Sequence, residues 1–179
     1  MRIDRKIGVF GLVLPVVIAT AASALPDFSG HWTVGSPPAP STARGSAAGG
    51  RGDMGSGWGS PLTIAQDGGR LTVEYAFFGR GDMQPPLKFI YALDGSETRN
   101  SVMMGRGVQQ QVSRTRWEGD TLLITTIHTF TNPATGKPMT QEVRQKLSLN
   151  SPASLVVETT RPGVLGGPSS TTTTVYQKL

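Results

Sequence analysis

Hydrophobic and polar side chains alternate along most of the chain that follows residue 61. Leu71, Val73 and Tyr75 alternate with Thr72 and Glu74, and the same two-residue period recurs at 88–93, 142–149 and 155–158. This period places successive side chains on opposite faces of a β-strand, with one face buried and the other exposed, as in antiparallel sheets. No longer window after the first 24 residues has the spacing of an amphipathic helix, so the pattern predicts an all-β protein.

Turn-forming residues divide this pattern into ten predicted strands. The strands are at 28–34, 62–66, 70–77, 87–93, 97–103, 108–117, 121–130, 139–149, 154–161 and 170–178. The connections after even-numbered strands are tight, as at 118–120, whereas most of those after odd-numbered strands are longer, as at 35–61 and 78–86. Successive connections of an up-and-down arrangement lie at opposite ends, so the tight turns would share one end and the long loops the other.

These strands are expected to form an antiparallel up-and-down barrel of about 8–10 strands, a closure that removes the exposed strand edges which promote aggregation. The end with the long loops would be the mouth of the barrel. A sandwich of two sheets is the competing fold. A sandwich needs long crossover connections, and 35–61 is the one candidate for such a connection.

The first 24 residues have the three parts of a secretory signal peptide. Arg2, Arg5 and Lys6 form a positively charged start, 7–20 is an apolar run, and the small residues before position 25 suit a cleavage site. We therefore predict cleavage near Ala24 and a periplasmic or secreted mature protein. An uncleaved membrane anchor is the alternative, but the apolar run is shorter than the roughly 20 residues that a membrane-spanning helix needs.

The mature chain, 25–179, is long enough for a single β-barrel domain. Within it, 35–61 consists mostly of Gly, Ser, Ala and Pro, so we predict a flexible loop there. The chain has no Cys, which excludes disulfides and Cys-containing zinc sites. Its two histidines, His31 and His128, lack the spacing of metal ligands, so we expect neither a metal nor a cofactor.

Charge argues against two classes of partner and for a third. The net charge of +5 is too small on its own to indicate nucleic-acid binding. Outward positions of the predicted strands are charged, which is incompatible with an integral membrane barrel; they include Glu74, Lys88, Glu142, Arg144, Lys146 and Glu158. The predicted mouth carries a net positive charge, with Asp53 and Asp82 against six cations, namely Arg44, Arg51, Arg80, Arg106, Lys137 and Arg161. A basic mouth favours an anionic ligand.

Side-chain parity also predicts which residues face the barrel interior. The apolar ones are Leu71, Val73, Tyr75, Phe89, Tyr91, Leu93, Leu122, Ile124, Val143, Leu147, Leu149, Leu155 and Val157. Polar residues share the inner face and would need partners from each other, from water or from a ligand; they are Asn100, His128, Gln141, Gln145 and Thr159. The strand at 108–117 is ambiguous, because Val112 shares a face with Arg114 and Arg116 while Trp117 lies on the other.

Near its start the mature chain reads Asp27-Phe28-Ser29-Gly30-His31-Trp32, with Gly30-x-Trp32 on the first predicted strand. This resembles the G-x-W motif that opens lipocalins and other calycin barrels, where the Trp closes the base and a late Arg lies over it. The late cations here are Arg161 and Lys178. The chain is also similar to a group of secreted bacterial proteins with a D-F-S-G-x-W-like start and a W-x-G-D-T-L-x-I stretch, matched at 117–124. The resemblance spans most of 27–179 apart from 35–61, and it implies a calycin-like barrel with Gly30 and Trp32 as structural residues.

Three functions are open at this point. The first is a binding protein that holds a small, partly apolar molecule, with or without an anionic group, at the mouth. Its candidate ligand-binding residues are Tyr75, Phe77, Tyr91, Met103, Met104, Arg80, Arg106, His128 and Arg161, and Trp58 would add aromatic surface to the rim. The second is a protein-interaction module, such as an inhibitor or an envelope scaffold, with a filled barrel and functional loops. The third is a calycin-type enzyme in which His128 acts with a nearby Gln or Arg; no residue is assigned as catalytic.

Overall fold

The computed structural model describes residues 25–35, 57–75, 86–104, 107–131, 136–163 and 167–179. The predicted signal peptide and most of the Gly-rich segment lie outside these residues. All regular secondary structure within them is β-strand, which confirms the predicted all-β class. In this described part of the chain, no helix is long and apolar enough to cross a membrane.

Ten strands follow one another along the chain. They are β1 (Gly30–Val34), β2 (Leu62–Asp67), β3 (Arg70–Tyr75), β4 (Leu87–Ala92), β5 (Thr98–Met104), β6 (Gly107–Glu118), β7 (Thr121–Thr131), β8 (Pro138–Ser151), β9 (Ser154–Arg161) and β10 (Ser170–Lys178). Each corresponds to a predicted strand, with bounds that differ by at most two residues. The two-residue period therefore located the strands correctly.

The strands form one antiparallel sheet in the order β4-β3-β2-β1-β10-β9-β8-β7-β6-β5. The first strand pairs with the last, with Trp32 opposite Lys178, so the sheet curls into a nearly closed up-and-down barrel. The predicted barrel is confirmed, and the competing sandwich is wrong. The tight hairpins lie at one end, here called the base, and the longer connections lie at the other, here called the mouth.

Side chains, rather than a strand ladder, join β4 to β5 where the barrel closes. The Ile90 N–H donates to Asn100 Oδ1 at 2.8 Å, and Asn100 Nδ2 donates to the Ile90 carbonyl at 3.0 Å. Nearby, the Thr115 hydroxyl of β6 donates to the Ala92 carbonyl of β4. Asn100 is only 6% exposed, and both ends of its carboxamide are paired as a buried amide requires. The carboxamide thus takes the place of a peptide group from a neighbouring strand.

Large apolar side chains fill the base. Trp32 is fully buried, its Nε1 donates to the Phe28 carbonyl at 3.0 Å, and the Phe28 ring stacks on Trp117 at 6.0 Å between centroids. Lys178 Nζ lies 5.4 Å from the centre of the Trp32 ring, and such cation–π contacts contribute about 0.5–1 kcal/mol at exposed sites. Of the two late cations, Lys178 therefore covers the Trp. A Cβ at Gly30 would lie 2.6 Å from Lys178 Cε, so glycine leaves room for this cover.

The interior follows the predicted parity. All the apolar residues predicted to face inward are buried or pack against the buried core. The structure also resolves the ambiguous strand β6, in which Gln111, Ser113 and Thr115 are buried while Val112 and Arg114 face outward. The inner face of β6 therefore carries polar side chains along most of its length and Trp117 at the base, where it stacks on Phe28. Two apolar residues of β6, Val108 and Val112, occur at the opposite parity.

Candidate functional site

Residues 57–60, here called the strap, lead into β2 and run inside the barrel. Trp58 is 1% exposed, and its Nε1 donates to the Tyr91 hydroxyl at 3.3 Å. The Tyr176 hydroxyl donates to the Trp58 carbonyl at 3.3 Å, and the Tyr75 hydroxyl donates to the Gly57 carbonyl at 3.4 Å. The expectation that Trp58 adds aromatic surface to the rim is therefore wrong, because tyrosines from β3, β4 and β10 hold the strap in the interior.

The two glycines of the strap allow this close approach. A Cβ at Gly59 would lie 2.5 Å from Tyr75 Cδ2, which is closer than real Cβ contacts. Gly57 has φ of +84°, and a Cβ there would lie 3.3 Å from Gln145 Nε2 and 3.4 Å from Arg161 Nη2. Gly57 therefore brings the strap against polar groups of β8 and β9 in a backbone conformation that suits glycine.

A cavity of about 320 Å³ lies in the mouth half of the barrel. This volume is at the lower end of the range typical of small-molecule sites. The described residues of its lining are Gly57, Trp58, Tyr75, Leu87, Phe89, Tyr91, Val102, Gln109, Gln111, Thr126, His128, Gln141, Val143, Gln145 and Arg161. The base below it is packed with side chains, so the barrel is filled at one end and hollow at the other.

One wall of the cavity is aromatic and comes from β3, β4 and the strap. The rings of Tyr75 and Phe89 stack at 5.8 Å between centroids with 13° between their planes. Trp58 and Tyr91 lie beside them, 6.2 Å apart and tilted by 50°. Burial raises the pKa of Tyr75 to about 12 and also raises the pKa of Tyr91, so both phenols are neutral. This wall offers flat apolar surface with few polar atoms.

The facing wall, from β6, β7 and β8, is polar. In the strand register, Gln111 of β6 lies directly opposite His128 of β7, and His128 lies directly opposite Gln141 of β8. Residues directly opposite each other in an antiparallel pair have Cβ atoms about 4.5–5.5 Å apart, so these side chains form a continuous row. Deeper on the same wall, the hydroxyls of Ser113 and Thr126 are hydrogen-bonded at 2.9 Å.

Arg161, at the mouth end of β9, gives the cavity a positive corner. It is the one cation in the described lining of the cavity, and this lining contains no carboxylate. The pKa of His128 lies below its ordinary value, mainly because burial disfavours the imidazolium and also because Arg161 repels a second positive charge. His128 is therefore a neutral imidazole near pH 7, with one nitrogen that donates and one that accepts. The Arg161 guanidinium adds N–H donors to this corner of the cavity, and such donors suit an acceptor group.

An apolar pair extends the polar wall toward solvent. Phe130 of β7 lies opposite Met139 of β8, two residues nearer the mouth than His128 and Gln141. Because side chains two residues apart share a face, Phe130 and Met139 lie on the inner face of this hairpin. They are 37% and 36% exposed, so the two side chains together leave apolar surface open at the mouth. We call this pair the lip.

The cavity brings together four of the predicted ligand-binding residues: Tyr75, Tyr91, His128 and Arg161. Phe77, Arg80 and Arg106 lie outside the described residues, as do Arg44 and Arg51 of the predicted basic mouth. For Met103 and Met104 the structure describes the backbone, at the end of β5. The role of all these residues in binding stays a prediction.

Sequence reasoning missed several lining residues, above all Gln111, and it placed Trp58 at the rim rather than inside the barrel. Trp58 could have been suspected as the one large side chain between two glycines in a tract of small residues. Gln111 could have been found by aligning β6 with β7, since His128, which parity places inside, lies directly opposite it. The signal for Gln111 is not local, because it depends on the register between two strands.

Comparison with known proteins adds no assignment, and the chemistry of the cavity carries the interpretation. No known protein family and no curated protein matches this sequence. Within the residues described, no group of three or more His, Asp or Glu side chains could hold a metal ion. The ligand chemistry that the cavity suits therefore follows from its aromatic wall, its row of carboxamides and imidazole, and its guanidinium.

Proposed function

We propose that this protein binds a small, partly apolar molecule with an anionic group inside the mouth half of the barrel. The observation that carries the proposal is the pairing of an aromatic wall with the Arg161 guanidinium in one cavity whose described lining has no carboxylate. Apolar surface supplies most of the affinity in such sites, and a few polar groups orient the ligand. The predicted cations of the mouth loops would assist the approach of an anion.

The charge balance of the cavity favours one ligand charge over the other. A cationic ligand would find no carboxylate as a counter-charge in the described lining of the cavity. An anionic group would form charge-assisted hydrogen bonds with the guanidinium, which are roughly twice as strong as neutral ones. A ligand with one negative charge therefore matches the cavity, in which Arg161 is the single described cation.

Acid–base catalysis by His128 has less support. A catalytic histidine is usually oriented by a second group such as a carboxylate, and the lining that the structure describes around His128 contains none. Its lowered pKa follows from burial and from Arg161, both of which also suit a neutral hydrogen-bonding residue in a binding site. Binding without chemistry is therefore the better account of this geometry.

A protein-interaction module is the second candidate, and the lip is the observation that favours it. Phe130 and Met139 expose apolar surface at the mouth, where a partner chain could cover them. The exchange Phe130→Ser separates the two functions. Retention of a small molecule with loss of a protein partner would support the module, whereas loss of the small molecule would favour the binding protein.

We also propose that the barrel is related to the calycins and acts after export. The relationship is supported by Gly30 and Trp32 at the base and by Lys178 over the Trp32 ring. Export is supported by the signal-like first 24 residues. Amino-terminal sequencing of protein from the periplasm or medium should begin near Leu25. Recovery of the full chain in the cytoplasm would contradict export.

Native mass spectrometry of protein purified from its own cells tests the binding function. We expect a bound molecule whose release leaves the protein folded, and whose signal is lost in Arg161→Gln. Arg114→Gln is the matched control, because Arg114 lies on the outer face, where it pairs with Glu97 at 3.3 Å. A bare protein mass from all preparations, or equal loss of the molecule in both variants, would overturn the proposal.

A further inference from the structure

Gln111 differs from other enclosed carboxamides of this barrel because its carboxamide has no hydrogen-bond partner among the described residues. Asn100 uses both ends of its carboxamide on the backbone of Ile90. Gln66 accepts from the Phe28 N–H at 3.1 Å and donates to the Pro26 carbonyl at 2.9 Å. Gln111 is 8% exposed and lines the cavity, yet its carboxamide neither donates nor accepts within the described part of the chain.

Such a group is unfavourable unless something pairs with it. A buried polar group that lacks a partner has lost its bonds to water without replacement, and native proteins contain few of them. An apolar side chain at position 111 would avoid this loss. The carboxamide faces the cavity, and its nitrogen and oxygen are not among the fully buried unpartnered atoms of the described residues, which are Thr159 Oγ1 and Thr174 Oγ1. Its partner is therefore water or a ligand inside the cavity.

His128 lies directly across from Gln111 and shares this property. Its imidazole makes no hydrogen bond to any other described residue, and its lowered pKa keeps it neutral. Gln141, next in the row, donates to the Pro162 carbonyl at 3.4 Å, which leaves its oxygen as an acceptor. The row therefore presents both donors and acceptors, whereas Arg161 presents donors alone.

This mixture of donors and acceptors selects among ligand groups. A carboxylate only accepts, so it would satisfy Arg161 but leave the oxygen of Gln111 without a donor. An amide group offers an N–H and a carbonyl together and can pair with both ends of the row. A polyol also offers both, but its remaining hydroxyls would meet the aromatic wall of Tyr75 and Phe89 and be buried without partners there.

We infer that the ligand is an amide-bearing carboxylic acid with an apolar group, the chemistry of an N-acylated apolar amino acid. Its carboxylate lies at Arg161, its amide at Gln111 and His128, and its apolar group on the aromatic wall. This inference rests on the proposed function and makes Gln111 a specificity-determining residue. It goes further because it names the neutral group that the site recognises.

Three probes separate the parts of the inference by isothermal titration calorimetry. N-acetyl-L-phenylalanine has both polar groups, 3-phenylpropanoate lacks the amide, and N-acetylphenethylamine lacks the acid. We expect the first to bind at least about ten-fold more tightly than either of the others, the effect of one well-placed hydrogen bond or more. Gln111→Met should bring the affinity of N-acetyl-L-phenylalanine close to that of 3-phenylpropanoate. Arg161→Gln should weaken both acids and leave N-acetylphenethylamine unchanged.

Gln110→Met is the matched control, since Gln110 is exposed on the outer face and donates to Ser101 Oγ at 2.8 Å. It should leave all three affinities unchanged, and circular dichroism checks that each variant is folded. Equal binding of the two acids by the wild type, or an unchanged preference in Gln111→Met, would overturn the amide assignment while leaving the proposed function intact. If no probe binds but a ligand co-purifies, the amide assignment fails alone. If no probe binds and none co-purifies, both fail.

Discussion

The base and the mouth half of this barrel are built from the same strands, yet the interior of the base is packed and apolar, whereas that of the mouth half is open and partly polar. In the base, Leu122 and Leu147 are fully buried among apolar neighbours, and Trp32 closes the end. In the mouth half, the same inner face carries Gln111 and His128 around a cavity of about 320 Å³. Burial of apolar side chains in the base supplies much of the favourable free energy of folding. The mouth half is thereby free to carry polar groups that folding alone would disfavour.

Removal of apolar volume from the base should have the largest effect. Leu122→Ala leaves a hole among fully buried side chains and should lower the free energy of unfolding by about 2–5 kcal/mol. Leu87→Ala, beside the cavity, removes a half-buried side chain from a place that is already open and should lower it clearly less. Urea unfolding followed by circular dichroism gives both values. Equal losses would contradict the division of the barrel into a packed base and an open mouth half.

The two carboxamides provide the next comparison. Asn100→Leu leaves the N–H and carbonyl of Ile90 without partners where β4 meets β5, and should lower the free energy of unfolding by about 1–3 kcal/mol. Gln111→Met removes a carboxamide that pairs with no described residue, so it should change stability by less than about 0.5 kcal/mol or raise it. Urea unfolding of both variants tests this. A large loss in Gln111→Met would show that Gln111 serves the fold.

A similar contrast on a smaller scale involves two inward threonines. Thr126→Val breaks the hydrogen bond to Ser113 and should lower the free energy of unfolding by about 1 kcal/mol. Thr159→Val removes a fully buried hydroxyl that has no partner among the residues described, and should be neutral or stabilising. Thermal unfolding is the measurement. If Thr159→Val is the more damaging of the two, an ordered water holds that hydroxyl and the contrast fails.

The pH dependence of His128 is expected to be the smallest effect. Because its pKa is lower in the folded than in the unfolded chain, the unfolded chain binds more protons below the ordinary value near 6.5. Its contribution to stability is therefore present above that value and is lost as the pH falls through the folded pKa. Arg161→Gln removes a repelling charge and should raise the pKa of His128. NMR titration of the imidazole tests this, and a pKa that stays the same or falls in Arg161→Gln would contradict the positive corner.

The fold was largely predictable because alternation is a local property. The alternation within each strand predicts which side chains face inward, as Leu71, Val73 and Tyr75 do in β3. The lengths of the turns indicate the order of the strands. The packed base follows from the same signal, since apolar residues recur there at one parity. The structure adds that β1 pairs with β10, so that the first and last strands of the meander are neighbours.

The site was predictable only in part because its decisive contacts are not local. His128 and Arg161 were found by parity and by charge. The inward face of β6 depends on its register with β7, which puts Gln111 opposite His128. Trp58 enters the barrel because hydroxyls from Tyr75 and Tyr176, distant in sequence, pair with the strap. Local composition indicated a loop there and carries no information on such partners.

A crystal structure of the protein purified from its own cells tests the central claim most directly. The account predicts electron density for a non-protein molecule in the mouth-half cavity, with an anionic group at Arg161 and its apolar part on the rings of Tyr75 and Phe89. Ordered water alone beside Arg161 and Gln111, or side chains collapsed into the cavity, would contradict the account and show a barrel that is filled throughout.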